Sequence, residues 1–271
     1  MTKDLTIVYM AAGMSSRFHG DIKAFANLGP NDESLIEFSL NQAISAGFNK
    51  IIFIVGVDTI KPFQEKFNDS YKNLPIKYVM QNFDKDKRDR PWGTTDAACT
   101  IKDVIDTPFV ICNSDDIYGN KNFQTLANHL KESDDDATIG YVLIDHLSNS
   151  APGNRAIFKT KDDYVQDLTE VLGIEKNNLK KTNTFANDLC SMSIFALHPN
   201  TVKHMDDILQ TFKNNNKNNR KIEALLPNTI SQLIKENKIK MKIYPCKQNA
   251  IGVTVPSDVE IVKKRLKDEA N

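Results

Sequence analysis

Five short apolar runs, rich in β-branched and aromatic residues, recur in the first half of the chain: LTIVYM (5–10), KIIFIVG (50–56), IKYVMQ (76–81), PFVICNS (108–114) and ATIGYVLI (137–144). Their length and composition predict buried strands. Between the first two, SLIEFSLNQAISAGF (34–48) places apolar residues at 35, 36, 38, 40, 43, 44 and 48, the spacing of one helical face. Ser34 stands where an N-cap is needed, and Gly47 where a helix stops. The stretches 59–70 and 94–106 also read as helices. Strands that alternate with helices and are nearly continuous in apolar residues predict an α/β protein: a three-layer, Rossmann-like α/β/α arrangement around a mostly parallel mixed sheet.

Beyond about residue 145 the pattern loosens. NRAIFKTKDDYVQDLTEV (154–171) reads as a hairpin and its extension, CSMSIFALHP (190–199) returns to strand character, and TVKHMDDILQTF (201–212) is helical. Two polar stretches, DKDKRDR (84–90) and KNNNKNNRK (213–221), read as solvated loops, the second as a mobile one. The first precedes PWGTTDA, a position from which a loop can cover a ligand. There is no internal repeat, and the expectation is one domain over residues 1–271.

Composition narrows the function classes. Thirty-five basic and 35 acidic residues give a net charge of zero, so no whole-molecule field favours nucleic acid or an anionic membrane. Cys99, Cys112, Cys190 and Cys246 are too widely spaced for a CxxC pair, and the five histidines show no metal-ligand spacing. Leu5 to Ala12 is too short for a signal peptide, and no run approaches the roughly 20 apolar residues of a membrane span. A cytoplasmic protein with reduced thiols is expected.

Candidate chemistry begins where the first strand ends. Ala11, Ala12 and Gly13 bring backbone N–H groups close to a ligand because no large side chain intervenes, and Met14 and Ser15 continue that turn. Arg17 and Lys23 then add the positive charge that a phosphate chain needs. The alternative is an ordinary strand-to-helix corner. Neither common phosphate loop explains the stretch: GxxxxGK[ST] is absent, and Gly13 stands alone where a dinucleotide fingerprint needs three glycines.

AAGMSSRF (11–18) with DIKAF (21–25) resembles the signature loop of the sugar-1-phosphate nucleotidyltransferases of the GT-A-like fold. Ser15 replaces a frequent glycine, as in molybdenum-cofactor cytidylyltransferases, and Ile22-Lys23 replaces Pro-Lys. Three later segments match in order. YVMQ…PWGTTDAA (78–98) resembles the base-binding segment, PFVICNSDDIYG (108–119) the strand ending in the metal-binding aspartate, and GVTVPSD (252–258) the closing strand-turn-helix. SMSIFAL (191–197) and EALLP (223–227) are similar to a bacterial subgroup of the same family.

The resemblance implies transfer of a nucleotidyl group from a nucleoside triphosphate to a sugar 1-phosphate with Mg²⁺. Residues 1–145 would mainly bind the nucleotide and 146–271 the sugar phosphate. Arg17, Lys23 and Asp115 would be catalytic. Ala11, Ala12, Gly13, Met14, Ser15, Gln81, Gly93, Thr94 and Asp116 would bind the nucleotide. Arg155, Glu170, Asn187 and Ser193 would contact the sugar, and Asp115 with Asp258 would hold the metal. For the second ligand Asn249 and Thr254 remain alternatives, while Asp258 alone is a carboxylate and also suits a helix N-terminus. Asp115-Asp116 before Tyr-Gly also suits a turn, and Trp92 suits either base stacking or packing. The rival readings are a cytidylyltransferase acting on a non-sugar phosphate and a nucleotide sensor without turnover. No nucleic acid or membrane partner is expected, and an oligomer is left open.

Overall fold

The computed structural model of the protein describes residues 3–13, 22–148, 151–252 and 262–263. Its strands are β1 (Thr6–Ala11), β2 (Lys50–Val55), β3 (Ser70–Tyr71), β4 (Leu74–Met80), β5 (Phe109–Asn113), β6 (Asp116–Ile117) and β7 (Asp136–Val142). The remainder are β8 (Gly153–Lys161), β9 (Tyr164–Ile174), β10 (Leu189–Cys190), β11 (Phe195–Leu197), β12 (Met241–Pro245) and β13 (Ile251–Gly252). Among the described residues they are accompanied by the helices α1 (Leu35–Ser45), α2 (Ile60–Phe67), α3 (Thr94–Cys99), α4 (Asn120–Glu132), α5 (Pro199–Asn215) and α6 (Leu226–Lys235).

Eleven strands form one sheet in the order β10-β8-β9-β12-β7-β11-β5-β1-β2-β4-β3, and β13 pairs separately with β6. The run β4-β2-β1-β5 is parallel, as is β7-β12, while β11 lies antiparallel between β5 and β7. Alternation along the strands explains the layers. Ile7 and Tyr9 of β1 pack on one face with Leu40, Phe63, Phe123 and Leu130, from α1, α2 and α4. Val8 and its neighbours Ile52 and Ile54 pack on the other with Ala97, Met205, Leu209 and Ile230, from α3, α5 and α6. Both faces are apolar because both are covered, which is why the runs read as continuous.

The first helix is bounded as its sequence requires. The Ser34 backbone N–H donates to Glu37 Oε2 at 3.0 Å, and Gly47 takes φ 104° just beyond the C-terminus. Elsewhere the periodicity overreached. The helix expected over 94–106 ends at Cys99, where the Thr100 hydroxyl turns back onto Ala97 O at 2.7 Å and competes with helical continuation. The strand expected over 190–199 splits into β10 and β11 around Ser193, whose φ is 58°. The hairpin expected near 154–171 is β8–β9, with a register shift between Lys159 and Thr160.

The two polar stretches are not free loops. Arg88, only 3% exposed, donates to Arg90 O at 3.0 Å, Asn219 O at 2.8 Å, Ile222 O at 2.5 Å and Pro91 O at 3.4 Å. Its guanidinium carbon lies 3.5 Å from the centre of the Trp92 ring, so Trp92 packs against a cation and against Phe212. Arg220 answers from the other side, meeting Asp89 at 2.8 Å and Asp86 O at 2.5 Å. Residues 84–92 and 214–223 are thereby stitched into one wall.

Asp136 begins β7 and anchors α5. It accepts from His198 N at 3.0 Å and from the Thr201 hydroxyl at 2.8 Å. Burial pushes its carboxyl up to about 7 from 3.8. Between those values the folded state keeps a proton that the unfolded state has released, so this group's stabilising contribution is full below about pH 4 and is lost as pH rises toward 7. Asp136→Asn, which mimics the protonated acid, should abolish that loss of about 1.4 kcal/mol per pH unit. Denaturant unfolding of both proteins from pH 4 to 7 checks this: curves that stay parallel would contradict it.

Candidate active site

The parallel strands β4, β2, β1 and β5 all end at one edge of the sheet, and the chain leaves β1 toward β2 on one side and meets β5 on the other. Such a reversal opens a crevice at the carboxyl ends of the strands. A cavity of about 760 Å³ lies there, lined by Ala11, Ala12 and Gly13 after β1, Gly56 to Thr59 after β2, Gln81 after β4, and Asn113 to Asp115 after β5. The stitched wall supplies Lys85, Asp89, Arg90 and Glu223 at its rim.

The turn after β1 is shaped by close packing. The Thr59 hydroxyl donates to Ala11 O at 2.8 Å, and a Cβ on Gly56 would stand 3.0 Å from Ala12 O. Among the described residues no atom lies within 4 Å of a Cβ built on Gly13, and that glycine lines the cavity. Met14, Ser15 and Arg17 lie outside the described residues, as do Thr254 and Asp258.

Lys23 and Asp115 meet at the cavity floor. Lys23 Nζ lies 2.7 Å from Asp115 Oδ2, its side chain 17% exposed against 39% for the aspartate. These groups are 92 positions apart in sequence and come together because β1 and β5 are adjacent, with Ser114 N bonded to Met10 O at 3.2 Å. Asp116 turns away from this cavity toward Asn113, whose side-chain N–H donates to it at 3.0 Å. Burial, and then the neighbouring Asp115 charge, push the Asp116 carboxyl up to about 6. The closing segment arrives beside this acidic pair: Gly252 pairs with Asp116 in the β13–β6 ladder. Asn122 holds that segment by donating to Gln248 O at 2.6 Å and accepting from Lys247 N at 3.0 Å. Asn249 is exposed and accepts a long contact from the Cys246 thiol.

The base-side residues are more constrained than their types suggest. Gln81 donates through Nε2 to Gly93 O at 3.0 Å and to Asp96 Oδ2 at 2.8 Å. Gly93 has φ 98°, and a Cβ on it would stand 2.6 Å from Ala224 O, so backbone packing against 223–224 by itself requires a glycine here, and Gly93 also lines the cavity. The Thr94 hydroxyl accepts from Leu226 N at 2.8 Å, at the start of α6. It lines the cavity while capping a helix.

The four sugar-side candidates do not line this cavity. In the β8–β9 ladder Arg155 pairs with Val171 and Glu170 with Ala156, so the two charged side chains leave opposite faces of the hairpin. Arg155 donates to His146 O and Asn154 O, each at 2.8 Å. Its charge lowers the Asp116 carboxyl against the larger effect of burial. Burial raises the Glu170 carboxyl, with Arg155 opposing. Asn187 is exposed, and Ser193 N donates to Ser191 Oγ at 3.0 Å.

Among the described residues no group of three or more His, Cys, Asp or Glu side chains could hold a metal ion. One protein carboxylate supplemented by phosphate oxygens is nevertheless a donor set that Mg²⁺ accepts, and Asp115 at the cavity floor can supply it. Sequence reasoning missed Asp96 and Lys213, the pair behind Gln81. Asp96 stands inside the quoted GTTDAA segment, but its Lys213 partner lies 117 positions away in what read as loop.

The nucleotidyl transferase family matches residues 23–244. No curated protein matches the chain significantly. Among solved structures, a UDP-glucose pyrophosphorylase complexed with UDP-glucose is similar with a TM-score of 0.68 and 14% identity, over 98% of this chain and 99% of that one. The inositol-1-phosphate CTP transferase from T. maritima gives 0.69 and 10% over 99% and 98%. A glucose-1-phosphate thymidylyltransferase from Bacillus anthracis, in complex with a sucrose, gives 0.71 and 10% over 97% and 96%. Among the described residues no helix is long and apolar enough to cross a membrane.

Proposed function

The chain belongs to the nucleotidyl transferase family, and from that premise we propose that it transfers a nucleotidyl group from a nucleoside triphosphate to a sugar 1-phosphate, releasing pyrophosphate. The observation that carries this reading is the Lys23–Asp115 pair on the floor of the cavity, beneath the Ala11–Gly13 turn. A cation and a carboxylate held together at the ends of buried strands suit a ligand bearing both phosphates and a divalent ion. The sugar half of the proposal draws on the structural neighbours that bind UDP-glucose or act on glucose 1-phosphate.

In the proposed reaction an oxygen of the sugar phosphate attacks the α-phosphorus in line, forming a new P–O bond while the bond to the β-phosphate bridging oxygen breaks and its electrons leave with pyrophosphate. A phosphate monoester is already an anion near neutral pH, so no general base is required; positioning and charge neutralisation supply the catalysis. Backbone N–H groups of residues 11–13 cradle the phosphates, and Lys23, with Arg17, neutralises the departing pyrophosphate. Asp115, with Asp258, is the proposed holder of Mg²⁺, which when bound offsets charge on the phosphate oxygens. Residues 146–271 are assigned to the acceptor, with Arg155, Asn187 and Ser193 as its candidate contacts; Glu170, which leaves the opposite face of the hairpin from Arg155, is set aside. Four free cysteines, three of them buried, accord with a cytoplasmic setting.

Pyrophosphate release, measured with Mg²⁺ over a grid of nucleoside triphosphates against sugar 1-phosphates and inositol 1-phosphate, tests the proposal. Turnover in a sugar column supports it. Turnover with inositol phosphate alone replaces the acceptor class, and triphosphate binding without turnover in any column favours a sensor. Absence of triphosphate binding removes the reading altogether.

A further inference from the structure

Gln81 reaches the cavity wall with half of its hydrogen-bonding capacity spent. Its Nε2 has two protons, and two different acceptors take them: Gly93 O at 3.0 Å and Asp96 Oδ2 at 2.8 Å. Asp96 is held in turn, its other oxygen 2.5 Å from Lys213 Nζ on α5. Gln81 and Asp96 are each 6% exposed, so water competes little for these bonds. A carboxylate paired with an ammonium has no proton to give. If the Gln81 amide turned over, its Oε1 would face Asp96 Oδ2 and Gly93 O, three acceptors without a donor. The remaining atom, Oε1, has no hydrogen-bond partner among the described residues, and Gln81 lines the cavity.

We infer that Asp96 and Lys213 are positioning residues that lock Gln81 as a hydrogen-bond acceptor, and thereby select a nucleobase whose facing ring nitrogen carries a proton. This rests on the proposed function, which puts a nucleoside triphosphate in the cavity. Uracil and thymine offer N3–H, and guanine offers N1–H. Cytosine presents a bare N3 lone pair at the equivalent place, so an acceptor fixed opposite it is left facing another acceptor. Without the Asp96–Lys213 pair only Gly93 O favours one orientation, and the glutamine amide can turn over to serve either base at a smaller cost. The lock converts an ambivalent side chain into a selective one.

Calorimetric titration of UTP, CTP and 3-methyl-UTP into the full chain, without acceptor, tests this. UTP should bind at least about tenfold tighter than both CTP and 3-methyl-UTP, the loss expected when a buried polar group is left without its partner. The wild-type comparison needs no variant and so cannot be confounded by misfolding. In the double variant Asp96→Asn, Lys213→Met, residue 96 can donate as well as accept, and the UTP-to-CTP ratio should fall toward one while UTP still binds. A merely structural role would weaken UTP and CTP in parallel and leave their ratio unchanged. An unchanged ratio, or equal binding of UTP and 3-methyl-UTP by the wild type, overturns this inference and leaves the proposed function standing. Failure of the wild type to bind UTP, CTP or GTP overturns both.

Discussion

Asp115→Asn is expected to lower the rate of pyrophosphate release by at least about a hundredfold, the cost of removing one key electrostatic group from a site that works by charge placement. Lys23 Nζ lies 2.7 Å from this carboxylate, and the pair sits where β1 and β5 deliver their carboxyl ends. The change removes the negative charge that pairs with Lys23 and the proposed metal carboxylate together, while an amide oxygen can still accept, so the loss should fall on turnover. Thermal stability should change by less than about 1 kcal/mol, because the aspartate is 39% exposed and pairs this open to solvent contribute little. Measuring turnover and melting together separates the two roles. Near-normal turnover would strip Asp115 of its assignment, and a large drop in melting temperature would make it a structural residue.

The second large effect is on stability. Arg88→Ala should cost about 3–5 kcal/mol, since it removes a buried guanidinium and leaves carbonyls on both sides of the stitched wall without donors. The four carbonyls of Arg90, Pro91, Asn219 and Ile222 are the partners lost, and Trp92 loses the cation stacked on its face. At about 2–4 °C per kcal/mol for a chain of this size, the melting temperature should fall by roughly 10 °C. Arg88→Lys should rescue little, because one ammonium cannot span carbonyls that a planar fork reaches from opposite edges. The wall also carries Lys85, Asp89, Arg90 and Glu223 to the cavity rim, so nucleotide affinity should weaken in the same variants. A melting temperature within about 2 °C of the wild type would show that the two loops hold without the arginine.

Much of the parallel half of the sheet could be read from the chain. β1, β2 and β5 announced themselves because strands buried on both faces are apolar at successive positions, and the small residues Ala11, Ala12 and Gly13 marked a stretch that lines the cavity. The first helix was legible to its caps. α3 was not, since the decision between helix and turn at Thr100 rests on a hydroxyl bonding back to Ala97 O, a local competition that apolar spacing does not encode. The second half was harder because β10 and β11 are two and three residues long, too short for a period to establish itself.

Candidate residues divide in the same way. Lys23 was singled out by its charge, and Asp115 by its place at a strand end together with the resemblance; the fold puts the two in contact. Gly93 was singled out for its small size, and the fold adds a neighbour that composition could not show, the Ala224 backbone. Arg88, Lys213 and Arg220 were read as members of polar loops. Composition makes a charged run look solvated, but one guanidinium that finds several carbonyls can be buried without a carboxylate partner.

By itself the sequence determined which segments are strands buried on both faces and where the first of them ends in a small, backbone-exposing turn, because these depend on side-chain size, apolarity and neighbours close in the chain. Only the tertiary structure decided that Gln81 is held by Asp96 and Lys213, that residues 84–92 and 214–223 form one wall, and that Arg155 and Glu170 leave opposite faces of their hairpin. The physical reason is that the Asp96–Lys213 contact and those across the wall join groups more than a hundred positions apart, and the third case depends on a one-residue alternation. No local propensity carries the first two, and a single slip in pairing reverses the last.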